Sequence, residues 1–181
     1  MVSCRQENNE TGMMNSSSTG VRLRAYRPAD APHLREITTS AWRQFQPHFS
    51  DWPAFEARLL QIERLAEQVE LMVAEREGSI AGYVGYAGPA AVKADFFEPH
   101  WAVIRMLSVS PGVRGKGLGR LLTDECLRRA QAEQVSVMAL HTSPIMAHAE
   151  RMYLGLGFAR VRELPAISGV PYYLYTKAMA G

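Results

Sequence analysis

The chain has 181 residues, of which 47% are hydrophobic and 21% are charged, and its net charge is +2. This length suits one domain with a single substantial core rather than two domains. So small a net charge gives no sign of the concentrated basic face that nucleic-acid binding uses, and no apolar run approaches the roughly 20 residues that cross a bilayer. We therefore expect a cytoplasmic protein without a nucleic-acid or membrane partner.

Residues 1–20 are polar and contain several Asn, Ser, Gly and Glu residues. They carry neither the apolar core of a secretory signal nor the acid-poor character of a transit peptide. We predict that they form a disordered tail and that residues 21–181 form one domain. Cys4 lies in this tail and Cys126 on a predicted helix, which favours reduced thiols over a disulfide, and we expect neither cysteine to be catalytic.

A strand and a helix are the first predicted elements. Val21, Leu23 and Ala25 alternate with arginines and a tyrosine, which is the period of a half-buried strand. Asp30 is a plausible N-cap for a helix that runs to about Trp42.

Residues 44–53 are predicted to form a loop crowded with aromatic side chains. Asp51 and Pro53 then begin a second helix. Four of its apolar residues share one face and should cover a sheet: Phe55, Leu59, Ile62 and Leu65. Residues 71–75 and 80–86 flank a Glu-Gly-Ser turn and predict an antiparallel hairpin.

The second half of the chain alternates strands with helices. The predicted strands cover residues 101–109, 135–140, 158–163 and 172–179. One predicted helix follows the turn over residues 111–119, and another covers residues 145–156 and ends at Gly157. Runs of strands with helices between only some of them indicate a mixed sheet with helices on both faces, of the α/β or α+β class.

The turn that follows the strand over residues 101–109 combines three glycines with three basic residues. Glycine allows a positive φ and the close approach of a ligand, and the turn directly precedes a helix whose leading N–H groups suit an anion. The neighbouring positive charge favours a pyrophosphate over a single carboxylate. In chain order the segment is Val113, Arg114, Gly115, Lys116, Gly117, Leu118, Gly119 and Arg120.

Two other phosphate-binding motifs fail at particular positions of this turn. A Walker-type loop that ended at Lys116 would need glycine in place of Ser110 and serine or threonine in place of Gly117. A dinucleotide-binding fingerprint that began at Gly115 would need glycine or alanine in place of Arg120. The remaining alternative is a glycine-rich turn that only caps a helix.

Two signatures resemble those of the GNAT superfamily of N-acetyltransferases. The first is a strand with Leu-x-Val at residues 107–109, followed by Arg-x-x-Gly-x-Gly at residues 114–119. The second is a helix tyrosine, Tyr153, four residues before a Gly-Phe turn. The family often has Asn where this chain has Met146, so no Asn contact with the cofactor is expected.

The resemblance implies both a fold and a cosubstrate. The fold is a mixed, mostly antiparallel α/β (α+β) sheet of about seven strands, splayed at the cofactor site, with helices on both faces. The cosubstrate is acetyl-CoA, with no metal, and its pantetheine arm lies along the main chain of the central strand. The implied cofactor-binding residues are Leu107, Ser108, Val109, Arg114, Gly115, Lys116, Gly117, Leu118, Gly119 and Arg120.

Aminolysis of a thioester needs a neutral amine, a polarised carbonyl and a proton for the leaving thiolate. By resemblance, a backbone N–H near Val109 would stabilise the oxyanion. Tyr153 would be the acid that protonates the departing sulfur. The structural alternative for Tyr153 is a core tyrosine on an amphipathic helix.

The catalytic base is less clear from the pattern, because many relatives carry glutamate where this chain has Val103. His141, which closes a predicted strand, is the better candidate, since a neutral imidazole can take a proton from an ammonium group. Glu98 and His100, just before the central strand, are the alternatives. Each of the three has a structural alternative as a hydrogen-bonded or solvated residue.

We predict an enzyme that acetylates a primary amine of a small molecule, an amino acid or a peptide. Five residues between the first two predicted helices form an acceptor wall or, alternatively, fasten the helices to the sheet: Trp42, Phe45, His48, Phe49 and Trp52. Relatives often dimerise through their last strands, which makes a homodimer possible here. The residues that would alternate between the core and a partner chain are Tyr172, Tyr173 and Tyr175.

Two rival functions stay open. The first is a non-catalytic acyl-CoA-binding sensor or regulatory module, which Val103 and Met146 favour because both depart from the family pattern. The second is a nucleic-acid binder, which we consider improbable. Its candidate residues are Arg22, Arg24, Arg128 and Arg129.

Overall fold

The computed structural model of the protein describes residues 20–179, so residues 1–19, including Cys4 and nearly all of the predicted tail, lie outside it. Within that range the strands are β1 (Val21–Ala25), β2 (Glu70–Arg76), β3 (Ser79–Ala87), β4 (Ala102–Val109), β5 (Val137–Thr142), β6 (Ala159–Ile167) and β7 (Val170–Ala178). The α-helices are α1 (Ala31–Trp42), α2 (Trp52–Leu59), α3 (Ile62–Gln68), α4 (Leu118–Ala132) and α5 (Ala147–Gly155).

The strands form one sheet in the order β1-β2-β3-β4-β5-β7-β6. Every neighbouring pair is antiparallel except β4 and β5, which are parallel. A parallel pair needs a long connection, and α4 supplies it. This architecture confirms the predicted mixed, mostly antiparallel α/β sheet.

Helices cover both faces of the sheet, and a separate apolar core lies on each face. Helices α1, α2 and α3 pack on one face, where Leu34 and Ile62 are fully buried. Helices α4 and α5 pack on the other, where Leu122 and Tyr153 are buried. Because both faces are covered, residues 71–74 of β2 are all buried instead of alternating with exposed residues.

The sheet opens between β4 and β5. The two strands pair only at Ala102 with Met138 and at Val103 with Ala139. Among residues 20–179, no strand therefore pairs with the remainder of β4 on that edge. This confirms the splay that was expected at the cofactor site.

A β-bulge in β4 lies beside the opening. The register of β4 against β3 shifts between Tyr83 and Gly85, and Met106 in the facing part of β4 has a φ of 52°. Positive φ is strained for a residue with a side chain. A Cβ at Gly82 would lie 2.8 Å from the carbonyl oxygen of Ser108, so glycine there allows the bulged strand to approach β3 closely. Bulges increase local twist and so turn the end of β4 away from β5.

The two predicted helix caps differ in the structure. Asp51 caps α2, since its side chain accepts a hydrogen bond from the N–H of Ala54 at 3.1 Å. Asp30 directly precedes α1, but its carboxylate accepts from the guanidinium of Arg24 and from the N–H of Arg27 instead of from the helix. Hydrogen bonding to Arg24 holds the pKa of Asp30 below its usual value. An ion pair with β1 has therefore replaced the expected cap.

The prediction of one long second helix is wrong. The chain turns at Leu60 and Gln61 and forms α2 and α3 separately. The turn allows Trp52 and Phe55 of α2 to pack in an aromatic cluster, while α3 packs along the sheet. The predicted loop over residues 44–53 also contains a 3-10 helix, Arg43–His48.

Several predicted boundaries shift by a few residues. The strand predicted over residues 135–140 is β5, which ends two residues later and so includes His141. The helix predicted from residue 145 begins as a 3-10 turn, and α5 starts at Ala147. The penultimate strand, β6, extends to Ile167. The shift of β5 places the candidate residue His141 inside a strand instead of in the loop after it.

Candidate active site

A groove of about 470 Å³ lies where the end of α1, the end of β4, the glycine-rich turn and the starts of α4 and α5 meet. Nearly all of the predicted cofactor-binding residues line it: Leu107, Ser108, Val109, Arg114, Gly115, Gly117, Leu118, Gly119 and Arg120. Lys116 is exposed and is not part of the lining. The turn and the strand that the sequence singled out thus meet in one cavity.

The N-terminus of α4 supplies unpaired backbone donors to the groove. Gly115 and Gly117 have φ values of 74° and 78°, which glycine adopts without strain. Helix α4 begins directly after Gly117, and no side chain caps its first turn. The leading N–H groups and the dipole of this 15-residue helix therefore favour an anion at the groove.

The three basic residues of the turn have different surroundings. The guanidinium of Arg114 donates to the carbonyl of Ala41 at 3.0 Å, which ties the turn to the end of α1. Burial lowers the pKa of Arg114. Arg120 lies 3.6 Å from Asp124 and is 62% exposed, and Lys116 is also exposed. Arg114 therefore shapes the groove, while Arg120 and Lys116 place positive charge at its rim.

The main chain of Val109 faces the opening in the sheet. Ser110 donates its N–H to the carbonyl of Ala81 at 2.9 Å. Bonded and non-bonded pairs alternate along an antiparallel ladder, so the main-chain groups of Val109 point away from its partner Gly82. They are free to bind a ligand. Next to it, the buried hydroxyl of Ser108 has no hydrogen-bond partner among residues 20–179.

Tyr153 lies in the core beside the groove. It is 5% exposed and is not part of the lining, although Ala149 and Met152 of the same helix are. Its ring meets that of Phe158 edge-on, with centroids 5.7 Å apart. Burial raises the pKa of Tyr153, so the phenol keeps its proton near neutral pH.

His141 lies on β5, and its imidazole is surrounded by three aromatic rings from other segments of the chain. The ring centroids of Phe96, Phe97 and Tyr172 lie 5.5, 5.9 and 5.5 Å from that of the imidazole. Its Nδ1 is buried and has no hydrogen-bond partner within the described part of the chain. Burial, together with the positive charge of Arg105, lowers the pKa of His141 to about 4. The imidazole is therefore neutral at pH 7.

A second cavity, of about 240 Å³, contains His141 on its wall together with Val103 and Arg105 of β4. None of its lining residues lines the groove. The aromatic neighbours of His141 belong to the core under α1, α2 and α3, whereas Tyr153 belongs to the core under α4 and α5. The two candidate catalytic residues thus lie on opposite faces of the sheet.

The predicted aromatic wall divides into three parts. Trp42 and Phe45 line the groove. Phe49 and Trp52 are buried in the core, and His48 is exposed. Phe49 and Trp52 therefore fasten the helices to the sheet, and an acceptor wall that uses Trp42 and Phe45 stays a prediction.

The two alternative bases, Glu98 and His100, are exposed and line neither cavity.

Sequence reasoning missed Arg105, whose signal was a charged residue inside an otherwise apolar strand. It also missed Gln44 and His148, which line the groove from the 3-10 helix after α1 and from α5. Nothing in their local sequence distinguishes them from ordinary surface residues.

Most of the arginines considered for nucleic-acid binding pair with carboxylates in the fold. The pairs are Arg24 with Asp30 and Glu75, Arg128 with Glu125, and Arg129 with Glu70 and Glu125. Carboxylates of the same chain thus compensate the positive charge of these three arginines. Arg22, on the edge strand β1, is exposed.

The tyrosines near the C-terminus are packed within the chain. Tyr172 and Tyr175 are buried, and the guanidinium of Arg160 lies 4.4 Å above the ring of Tyr173. The hairpin inserts β7 between β5 and β6. Tyr172 and Tyr175 thus lie on the core side of the expected alternation between the core and a partner chain. A partner contact for Tyr173 stays a prediction.

Within residues 20–179, no helix is both long and apolar enough to cross a membrane. No cluster of three or more His, Cys, Asp or Glu side chains in the same range could hold a metal ion. Cys126 is buried on α4, and burial raises the pKa of its thiol to about 12. The thiol therefore stays protonated.

A splayed mixed sheet and a groove at the start of the following helix together define the class of CoA-dependent acyltransferases. The chain belongs to the acetyltransferase (GNAT) family, whose sequence model matches residues 33–158. The matched residues contain the whole groove.

Named relatives and solved structures agree with this assignment. The chain is 29% identical over 146 residues to the mycothiol acetyltransferase of Frankia alni, a match that covers 77% of this chain. The match covers only 43% of that relative, so the chain spans less than half its length.

Two solved structures share the fold. One is a ribosomal-protein-alanine N-acetyltransferase from Brucella melitensis, with a TM-score of 0.65, 23% identity, and coverage of 86% of this chain and 98% of that one. The other is a GNAT family acetyltransferase from the same organism in complex with acetyl-CoA. Its TM-score is 0.60 at 20% identity, and the match covers 90% of each chain.

Proposed function

We propose that this chain transfers the acetyl group of acetyl-CoA directly to a primary amine of a small molecule, an amino acid or a peptide. The observation that carries the proposal is the groove, in which the uncapped N-terminus of α4 and the unpaired edge of β4 lie along one cavity. Helix amides suit a pyrophosphate, and a strand edge without a partner suits the amide groups of a pantetheine arm.

The residues of the groove fit this ligand. The amides around Gly115, Gly117 and Gly119 would hold the pyrophosphate, with Lys116 and Arg120 at the rim. The main chain of residues 107–109 would pair with the pantetheine arm. Acetyl-CoA supplies an acetyl group that is activated as a thioester.

The chain's own groups provide the remaining chemistry. The N–H of Val109, which points away from β3 into the opening, would stabilise negative charge on a carbonyl oxygen. Tyr153 holds a proton at its hydroxyl and is the proposed acid. His141 holds an unprotonated nitrogen at neutral pH and is the proposed base.

The acceptor class stays broad in this proposal. The relatives reported above are named for mycothiol and for the alanine of a ribosomal protein, so the names within this fold cover both small-molecule and protein acceptors. We place the activity in the cytoplasm. A homodimer, if formed through the sheet edge, would use β6, on which Val161 is 53% exposed.

Release of free CoA thiol from acetyl-CoA, measured against a panel of primary amines, tests the proposal. Calorimetry with acetyl-CoA runs in parallel. We expect both binding and amine-dependent thiol release. Binding without release for every amine would instead favour the non-catalytic acyl-CoA sensor, and absence of binding would reject both readings.

His141→Ala separates the proposed base from a structural histidine. We expect kcat to fall more than about tenfold while acetyl-CoA affinity stays within about twofold, because a general base contributes to the proton-transfer step and not to cofactor binding. An unchanged kcat would remove His141 from the mechanism and leave the amine itself, or water, as the base.

A further inference from the structure

Arg105 is a charged residue in the middle of a strand whose neighbouring residues 102–104 are buried. It lies inside β4, half-buried, on the face covered by α1, α2 and α3. Among residues 20–179 no carboxylate lies within ion-pair distance of it, and its recorded hydrogen bond is a long one, 3.4 Å, to the amide oxygen of Gln68. By contrast, Arg24, which is also partly buried, contacts two carboxylates at 2.7 Å. A guanidinium has five N–H donors, so most of those of Arg105 are free.

The cavity in front of Arg105 carries no negative charge of its own. Its lining consists of Gln68, Val92, Lys93, Ala94, Phe97, Val103, Arg105 and His141. A shielded cation without a counter-ion is costly to keep in a fold. Burial lowers the pKa of Arg105, and its charge in turn depresses that of His141. The cavity is therefore electrostatically suited to an anion.

Lys93 fixes one wall of this cavity with all of its donors, so that within residues 20–179 the available cation of the lining is Arg105. The ammonium of Lys93 donates to the carbonyls of Pro89, Ala91 and Pro99 at 2.9, 3.0 and 3.1 Å. An ammonium has three donors, so all of those of Lys93 are used to fix the loop between β3 and β4. The loop then forms one wall of the cavity. An anion that entered the cavity would contact the guanidinium of Arg105.

We propose that Arg105 binds the carboxylate of the acceptor in this second cavity, so that the acceptor is an amine that also carries a carboxylate. A guanidinium matches the planar carboxylate with two parallel hydrogen bonds. A volume of about 240 Å³ is below the roughly 300–1,000 Å³ of drug-sized sites. It suits a compound of amino-acid size.

The position of the cavity relates it to the groove. Arg105 and His141 stand on β4 and β5, the two strands that part beyond Val103 and Ala139. Residues 107–109, which follow the bulge at Met106, line the groove. A carboxylate held at Arg105 would direct the amine of the acceptor to this opening. The inference rests on the proposed acetyl transfer to an amine, and it narrows the class of acceptor.

Matched pairs of acceptors test the inference. Glycine, β-alanine and 4-aminobutyrate are each compared with the corresponding carboxamide, by thiol release at saturating acetyl-CoA. We expect kcat/KM for at least one acid to exceed that of its amide by about tenfold or more, because a charged hydrogen-bonded pair is lost in the amide. Equal values in every pair would overturn the inference while leaving the proposed acetyl transfer intact.

Variants identify the cation. Arg105→Gln should lower kcat/KM for the preferred acid about 10- to 100-fold more than kcat/KM for its amide, and it should leave the KM for acetyl-CoA within about twofold. Arg105→Lys should restore part of the loss. The control is Arg162→Gln, which removes a charge whose guanidinium donates to the carbonyl of Phe96 at 3.4 Å but does not line the cavity. An equal loss for acid and amide in Arg105→Gln would overturn the assignment.

A binding measurement decides the outcome if no amine is acetylated. Thermal unfolding is followed with the same acids and amides, since a ligand that binds only the folded chain raises Tm. A shift with an acid in wild type that is lost in Arg105→Gln supports a carboxylate site even if the proposed acetyl transfer fails. No shift with any acid would then reject the site. Stronger binding of aminomethylphosphonate than of glycine would overturn the assignment of a carboxylate. It would show that the cavity prefers a more highly charged anion.

Discussion

The groove and the second cavity are built from different parts of the chain. In the groove the proposed binding groups are backbone amides, made accessible by glycines and by the start of one helix. In the second cavity they are the side chains of Arg105 and His141, which come from two strands far apart in the sequence. A site made from the backbone leaves a mark in the local sequence, whereas a site made from converging side chains does not. The two regions should therefore respond differently to substitution.

Among the substitutions near the groove, Tyr153→Phe should lower kcat the most. Loss of a general acid lowers rates about 10²- to 10⁴-fold, so we expect kcat to fall at least about 100-fold. Acetyl-CoA affinity by calorimetry should change little, since Tyr153 does not line the groove. Tyr86→Phe is the matched control, because this buried tyrosine of the same core donates to Glu133 instead. Equal rates in both variants would leave Tyr153 as a core residue only.

The pH dependence of stability should be dominated by the second cavity through His141. Its pKa in the folded chain is about 4, below the ordinary value of 6.5. Between these values the unfolded chain binds a proton that the folded chain does not, so the stability present above about pH 6.5 is lost as the pH falls towards 4. This loss amounts to up to about 3 kcal/mol.

Denaturant unfolding of wild type and His141→Ala at several pH values measures this contribution. The wild-type free energy of unfolding should fall more steeply than that of the variant between pH 6.5 and 4. Carboxylate titration is common to both proteins and cancels in the comparison. Parallel curves would mean that the imidazole is solvated in the folded protein.

Gly117→Val should weaken acetyl-CoA binding about 10- to 100-fold. A β-branched residue is strained at a φ of 78°, and its side chain would disturb the helix amides that face the groove. Gly112→Val is the control, since Gly112 has no positive φ and does not line the groove. Calorimetry of both variants checks the claim that the backbone forms this site, and similar affinities would contradict it.

Lys116→Ala and Arg120→Ala should have the smallest effects, about two- to fivefold in acetyl-CoA affinity. Both side chains are exposed at the rim, where water and salt screen their charge. The loss should shrink further in 0.5 M salt, measured by the same titration. A loss as large as that of Gly117→Val would show that side chains, and not amides, hold the pyrophosphate.

Much of the fold could be predicted because its signals are local. The strand pattern of β1, the Asp51 cap of α2 and the glycines before α4 each depend on residues that are close in the sequence. The long second helix failed for the opposite reason. Residues 55–65 share one helical face whether or not the chain turns at Leu60, and only packing against the aromatic cluster decides that it does.

The candidate site divides in the same way. The glycine-rich turn and its place before α4 could be identified, because the backbone conformation follows from the residue types. The anion that it suits stays a prediction. The partner of Arg114 could not be identified, since the carbonyl of Ala41 reaches it only when α1 is in place. The pKa of His141 was equally inaccessible, as it depends on burial and on Arg105 across the sheet.

The amino-acid sequence by itself determined most of the order of strands and helices, the mixed sheet and the glycine-rich turn before α4. Backbone preferences and hydrophobic periods act over a few residues, so they are present in the sequence before the chain folds. Only the tertiary structure decided that β7 lies between β5 and β6, that β4 and β5 part after two paired positions, and that Arg105 faces His141 in one cavity. Those outcomes depend on which distant segments pack together, and no short segment contains that information.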